Sequence, residues 1–324
     1  MNETVLAIQS IKPETLTWEQ ALSMFQLRGR AEGHSPATAE HYRWTLAQAV
    51  AYFKRAGAQR PCVVSPVHIK QFLDDRRAAG LASATLQTRF RHLRTLFRSL
   101  VADGLLTKNP TDTVAKPKIE VRPPKAFRPE DFAAILELLN TKTALGKRDL
   151  ALFCMLFDSG ARVSEALSLR IQDLDLAQNT ATVRGKGGKF RPIVWGEKTR
   201  RAVLDWLRCR SEAKPGDRVF CNHFGEPLSR NAVRLRLKRL TQRIGIAAPR
   251  LGAHALRHGC AVELLRGGAD VETVRRVLGH SRLTTTQIYL GALTDAEALA
   301  KAQAIGVVDR MGPLPGERRQ VRLK

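Results

Sequence analysis

Seven side chains in the second half of this sequence are of the types that grip anions or move protons. Arg162 stands in Gly160-Ala161-Arg162-Val163-Ser164-Glu165, at the expected start of a helix, and Lys186 at the tip of a glycine-rich hairpin, Gly185-Lys186-Gly187-Gly188-Lys189. His254 and Arg257 occur in His254-Ala255-Leu256-Arg257-His258, three residues apart and so on one face if helical. His280 closes Leu278-Gly279-His280, and Tyr289 ends Thr284-Thr285-Thr286-Gln287-Ile288-Tyr289. A guanidinium is permanently charged and matches a phosphate in bidentate fashion. Singly, each residue has an ordinary explanation: a surface arginine, a turn without P-loop spacing, a chance His-x-x-Arg pair, a half-buried aromatic. Of the three tyrosines, the other two, Tyr42 and Tyr52, lie in the first part of the chain.

The surrounding composition favours a polyanionic partner. The chain has 324 residues, a length that suggests two domains, and 44% hydrophobic residues, enough for packed cores. Its 54 basic and 30 acidic side chains leave a net charge of +24, which points first to nucleic acid and second to an anionic membrane surface. The excess is +6 over 1–115 and +18 over 116–324, so both halves are basic. The longest apolar run, Leu150 to Phe157, is far short of the ~20 residues that span a bilayer, and Met1 to Lys12 shows no secretory pattern. Cys62, Cys154, Cys209, Cys221 and Cys260 are scattered with no CxxC pair, which argues against a disulfide framework and against a zinc site. A reduced, cytoplasmic protein is expected, and the lack of an Asp/Glu cluster or a P-loop agrees with the chemistry, free of metal and cofactor, that the resemblance given below implies.

The elements that must position these residues are mostly helical. Thr17 to Asp103 reads as four helices. Thr17 and Gln20 have capping-box spacing, and Ser35-Pro36 and Ser65-Pro66 pair an N-cap with a proline at the first helical position. From Ser83, Leu86, Phe90, Leu93, Phe97 and Leu100 recur with helical period, while Arg91, Arg94 and Arg98 lie on a separate stripe suited to phosphates. Lys, Arg and Pro between Thr113 and Phe127 suggest an extended basic linker. Helices then begin at Pro129, around Leu150 to Phe157 and near Val163. Three short strands follow, at Ile171 to Leu176, Thr180 to Arg184 and Phe190 to Val194. In Ser229 to Arg243 an apolar stripe of Val233, Leu237, Leu240 and Ile244 leaves Arg230, Arg234, Lys238, Arg239 and Arg243 largely off it, as in a helix lying in a major groove. Asp295 to Ile305 reads as a small helix anchored by Leu299, and Gly312 to Lys324 as a mobile basic tail. The expected domains are a helical DNA-binding domain at 1–112, a linker at 113–127, a catalytic domain at 128–308 and a tail at 309–324.

As an ordered set, Arg, a hairpin Lys, His-x-Leu-Arg-His, Leu-Gly-His and Thr-Thr-x-x-Tyr resembles the tyrosine recombinase (phage integrase) family, most closely its Xer-type branch. The resemblance covers almost the whole chain. It implies a mainly α fold, in which a SAM-like helical core-binding domain precedes an α+β catalytic domain with a small three-stranded antiparallel sheet, the two forming a C-shaped clamp on DNA. It implies that Tyr289 attacks a phosphodiester to give a 3′-phosphotyrosine and a free 5′-hydroxyl. Arg162 and Arg257 would hold the non-bridging oxygens and Lys186, with Lys189 as fallback, would protonate the leaving oxygen. His254 would act as, or assist, the general base, and His280 would donate to the phosphate. Glu165 and His258 would support their neighbours. Gly259-Cys260 depart from the small hydroxyl or alanine usual after that second histidine.

The implied function is site-specific recombination on double-stranded DNA through a Holliday junction, by a homotetramer linked through the helix after Tyr289 or together with a sister recombinase. Integration or excision, transposon cointegrate resolution and chromosome dimer resolution fit equally, and the target sequence is not readable. A type IB topoisomerase shares the chemistry but generally has Lys where His254 stands. A non-catalytic DNA-binding regulator is disfavoured because every catalytic position is filled, and a metal-dependent nuclease by the missing carboxylate cluster.

Overall fold

A computed structural model of the chain describes residues 12–119, 126–185, 188, 190–210, 212–246 and 252–290. They fall into two compact units, divided between Val121 and Arg122. The first unit holds four α-helices: α1 (Trp18–Ala31), α2 (Pro36–Arg55), α3 (Pro66–Ala78) and α4 (Ser83–Ala102). Their starts follow the local signals. The Thr17 hydroxyl accepts from Gln20 N while the Gln20 side chain accepts from Thr17 N, and Ser35 accepts from Thr38 N. At α3 the reciprocal partner of Ser65 is His68, whose Nδ1 accepts from Ser65 N at 3.1 Å.

The stripe from Leu86 to Leu100 is buried on α4, and its Phe90, Leu93, Phe97 and Leu100 join Trp18, Phe53 and Phe72 in the core of this unit. Each such side chain taken from water contributes about 1.5–3 kcal/mol. Trp18 stacks on Phe53 and donates its indole N–H to Ala58 O, so the one polar atom of the ring is satisfied. Arg91, Arg94 and Arg98 are exposed on the opposite stripe. The segment read as a linker begins within this unit: Val114 is a core residue and Gln87 donates to Pro117 O.

The second unit contains α5 (Pro129–Glu137), α6 (Ala144–Ser159), α7 (Val163–Ser168), β1 (Leu174–Asp175), β2 (Thr180–Arg184), β3 (Phe190–Val194) and α8 (Glu197–Arg208), then α9 (Arg230–Arg243), α10 (Ala253–Arg266), α11 (Val271–Leu278) and α12 (Thr284–Gln287). The sheet is antiparallel in the order β1-β2-β3, with Ala181 opposite Ile193 and Val183 opposite Arg191. The first strand is shorter than its apolar pattern suggests, because Ile171–Asp173 forms a 3-10 turn. Asp173 closes that turn by accepting from Arg170 N at 2.8 Å.

Helix α6 is the hub of the larger core, burying Ala151, Leu152, Phe153, Met155 and Leu156. A smaller cluster joins α10 and α11 to Tyr289 through Ala261, Val262, Leu265, Val274 and Leu278. The expected helix at 295–305, the tail, and Lys186, Gly187 and Lys189 of the hairpin lie outside the described residues.

Candidate active site

The site is assembled where four helix ends meet. Helix α6 stops at Gly160, in the left-handed region at φ 60°. A Cβ there would stand 2.6 Å from Leu278 and 3.1 Å from Cys260 Sγ, so only glycine lets this end close on α10 and α11. Arg162 is the N-cap of α7 and Glu165 its third residue. Glu165 is 3% exposed and fully used: it accepts from Arg162 N at 2.8 Å, from Arg162 Nη1 at 2.7 Å and from Arg191 Nη2 at 2.8 Å. Burial pushes its pKa up, but the Arg162 backbone hydrogen bond and the two guanidinium charges outweigh this and hold it below 4.5.

Helix α10 contributes three side chains. Arg257 is buried and donates to Gly160 O and to Leu278 O, both at 2.6 Å. It thereby satisfies carbonyls at the ends of α6 and α11 that have no intrahelical partner. Burial lowers its pKa to about 10, with Arg162 and Arg191 adding to the effect, and it remains cationic at neutral pH. One residue on, His258 Nδ1 lies 2.8 Å from the Tyr289 hydroxyl. His254, one turn earlier, is exposed; the bulk of protein around it, then Arg257 and Arg162, lower its pKa. The unusual Gly259 has a packing reason. A Cβ would fall 2.6 Å from the Phe157 ring and 2.7 Å from Phe127 O. The Cys260 thiol meets Asp158 O at 3.3 Å.

Helix α11 ends at Gly279, φ 64°, and the chain turns to place His280. Nδ1 of His280 lies 2.9 Å from Thr286 Oγ1, and its ring stacks 6.4 Å from that of Tyr289. Tyr289 therefore sits between two imidazoles and is 1% exposed. Burial lowers the pKa of both His258 and His280 to about 4, so both are neutral at pH 7. Burial likewise raises the Tyr289 pKa, against the nearby Arg257 charge. A neutral imidazole accepts from the phenol, and the phenol O–H donates.

Two concavities open beside this cluster. One of about 430 Å³ is lined by Arg162, Gly185, Phe190, Arg191, His280 and Thr285. The other, about 670 Å³, runs past His254 between Arg230 and Arg234 of α9. A phosphate seated in the first would meet fixed positive charge without a metal ion. Among the described residues no group of His, Cys, Asp and Glu could hold a metal, and no helix is long and apolar enough to cross a membrane.

The phage integrase family profile matches residues 125–295, and the profile of the SAM-like N-terminal domain of phage integrases matches 29–104. This chain belongs to the phage integrase family. It is 33% identical over 273 residues to the tyrosine recombinase XerC of Pseudomonas syringae pv. tomato, covering 84% of this chain and 91% of that protein. Its fold is similar to that of a Tn1549 transposon integrase solved in complex with a circular intermediate DNA, with a TM-score of 0.72 at 19% identity, covering 89% and 99% of the two chains. It is also similar to the XerH site-specific recombinase bound to a palindromic difH substrate, at 0.70 and 24%, covering 92% and 85%.

Within this integrase-family chain the expected residues Arg162, Glu165, His254, Arg257, His258, His280 and Tyr289 converge on one region. The tip residue Lys186, with Lys189, lies outside the described residues, while the flanking Gly185 and Phe190 border the smaller concavity. The imidazole that touches Tyr289 is His258, read from sequence only as a support, whereas His254 opens to solvent. On α9, Arg230, Arg234, Lys238, Arg239 and Arg243 are all exposed, while Arg236 turns back to Asp149 at 2.8 Å. Arg94 of the first unit lies 3.6 Å from Asp112. Sequence reasoning missed Arg191. Its signal was parity: it shares the inward face of β3 with Ile193, an odd place for an arginine without a partner.

Proposed function

We propose that this chain is a site-specific tyrosine recombinase that cuts and rejoins DNA through Tyr289. The observation that carries the reading is the Tyr289 hydroxyl held 2.8 Å from His258 in a cluster that also contains Arg257 and His280. The phenolic oxygen attacks the scissile phosphorus, the bond to the 5′-oxygen breaks, and a 3′-phosphotyrosine and a 5′-hydroxyl result. Lys186 supplies the proton to the departing oxygen. Arg162 and Arg257 hold the non-bridging oxygens; Arg257 spends two donors on backbone carbonyls and has others for a phosphate. His280 donates to the phosphate, and His254 acts as or assists the base. The covalent link conserves bond energy, so attack by a new 5′-hydroxyl rejoins the strand without ATP.

The basic face of α9 and the exposed Arg91, Arg94 and Arg98 bind the duplex, chiefly through phosphates. Paired strand exchanges through a Holliday junction require several subunits, as a homotetramer or with a sister recombinase, in the cytoplasm beside the nucleoid. The event served is integration or excision of a mobile element, cointegrate resolution or chromosome dimer resolution. Tyr289→Phe tests the reading: it should bind the recombination site normally yet form no covalent adduct on a nicked suicide substrate, while wild type does so in excess chelator. Adducts formed by the Phe variant would remove the assignment.

A further inference from the structure

We infer that Arg191 is a positioning residue of strand cleavage, tying the end of α11 that presents His280 to the carboxylate that holds Arg162. The inference rests on the reading of Arg162, His280 and Tyr289 given above. Arg191 Nη2 donates to Glu165 Oε2 and Nη1 to Val277 O, both at 2.8 Å. Glu165 in turn holds Arg162 through its side chain and its backbone N–H. One strand residue thus fixes the spacing between two elements far apart in sequence, the start of α7 and the end of α11.

Three further observations favour a brace over an ordinary surface arginine. The stem of Arg191 lies directly over Gly279, where a Cβ would stand 2.5 Å from its Cδ and 2.6 Å from its Nε. Its side chain is 14% exposed at the ion pair with Glu165, so the guanidinium is largely withdrawn from water. Its Nε is buried with no hydrogen-bond partner. A buried donor left unpaired weakens the fold, and the arrangement holds geometry at that expense. Both terminal nitrogens are tied to protein acceptors on different elements, which makes Arg191 a strut beside the concavity. Loss of the strut leaves Arg162 and His280 present but no longer held at a fixed separation. A displacement of about 1 Å at a reacting centre slows chemistry on the order of a hundredfold.

The test uses the full-length chain, the suicide substrate and four variants. Arg191→Met keeps the aliphatic stem over Gly279, and Arg191→Lys keeps the charge on a group without the planar fork. Both should stay folded and bind DNA as wild type, with a melting temperature lowered by the lost bonds to Glu165 and Val277 O, yet at a temperature where they are native cleave about a hundredfold more slowly in single turnover, with lysine restoring less than tenfold. Glu165→Gln should slow cleavage similarly, and the double variant Glu165→Gln with Arg191→Met should be no slower than the slower single, since both cut the same tie. Multiplying effects in the double, a Met variant within about threefold of wild type, or failure of both Arg191 variants to fold would each overturn the inference. Absence of Tyr289-dependent adducts from the wild type would instead sink the recombinase site, and the role of Arg191 with it.

Discussion

Gly279→Ala is the sharpest probe of how tightly the site is built, because Gly245 supplies a control in the same unit. Both glycines lie in the left-handed region, at φ 64° and 71°. An L-residue there loses roughly 1–2 kcal/mol at either position. At Gly245 a new methyl meets nothing within 4 Å. At Gly279 it would lie 2.5 Å from Arg191 Cδ, where carbon atoms prefer about 3.5–4.0 Å. The arginine stem must retreat by about 1 Å, which stretches its 2.8 Å bonds to Glu165 and Val277 O out of range. Hydrogen bonds to charged groups contribute about 1.5–3 kcal/mol each, so after partial relaxation Gly279→Ala should lose about 2–4 kcal/mol more than Gly245→Ala. In urea unfolding followed by circular dichroism the difference appears as a lower midpoint at unchanged slope. In melting it is a further drop of roughly 5–15 °C for a unit of this size. Equal losses in the two variants, within about 0.5 kcal/mol, would refute the close packing of Arg191 on Gly279.

Other outcomes follow from the same contacts. His258→Leu leaves the buried Tyr289 hydroxyl without its acceptor and should destabilise by about 1–3 kcal/mol, a loss that disappears in a Tyr289→Phe background; an equal loss in both backgrounds would show that the hydrogen bond is absent. His258 and His280 have folded pKa values of about 4 against 6.5 when unfolded, so the unfolded chain takes up protons first as pH falls. Stability of the second unit should be full above pH 6.5 and decline towards pH 4, less steeply when either is replaced by Gln; denaturant midpoints that stay level across this window would contradict the burial of both rings. Replacing Arg234 and Lys238 together by Ala should weaken DNA binding and reduce the slope of log affinity against log salt by about 2, and an unchanged slope would move the duplex off α9.

The features readable in the sequence were those set by neighbours. Thr17, Ser35 and the stripe from Leu86 to Leu100 act within a helical turn or two, so type and spacing determined them. The convergence of Arg162, Arg257, His280 and Tyr289 was readable only as an ordered pattern shared with a family, since no local rule brings α7, α10 and α11 together. Arg191 escaped because its acceptors lie 26 and 86 residues away, on other elements. The pairing of Tyr289 with His258 rather than His254 depends on which side of α10 faces the α11 cluster. Both histidines flank Arg257 in sequence, and the apolar periodicity around them does not separate their sides. Gly259 seemed a minor departure until Phe157 and Phe127 were found against it.

A phenol with so little of its surface in contact with solvent has a bearing on what the chain does before it meets its site. The basic concavity beside Arg162 is open, whereas the phenolic oxygen is sheathed between two uncharged rings. On the reading proposed above, the ring must turn outward before its oxygen can meet a backbone phosphate, and the cost of that turn lowers the apparent affinity for a productive complex.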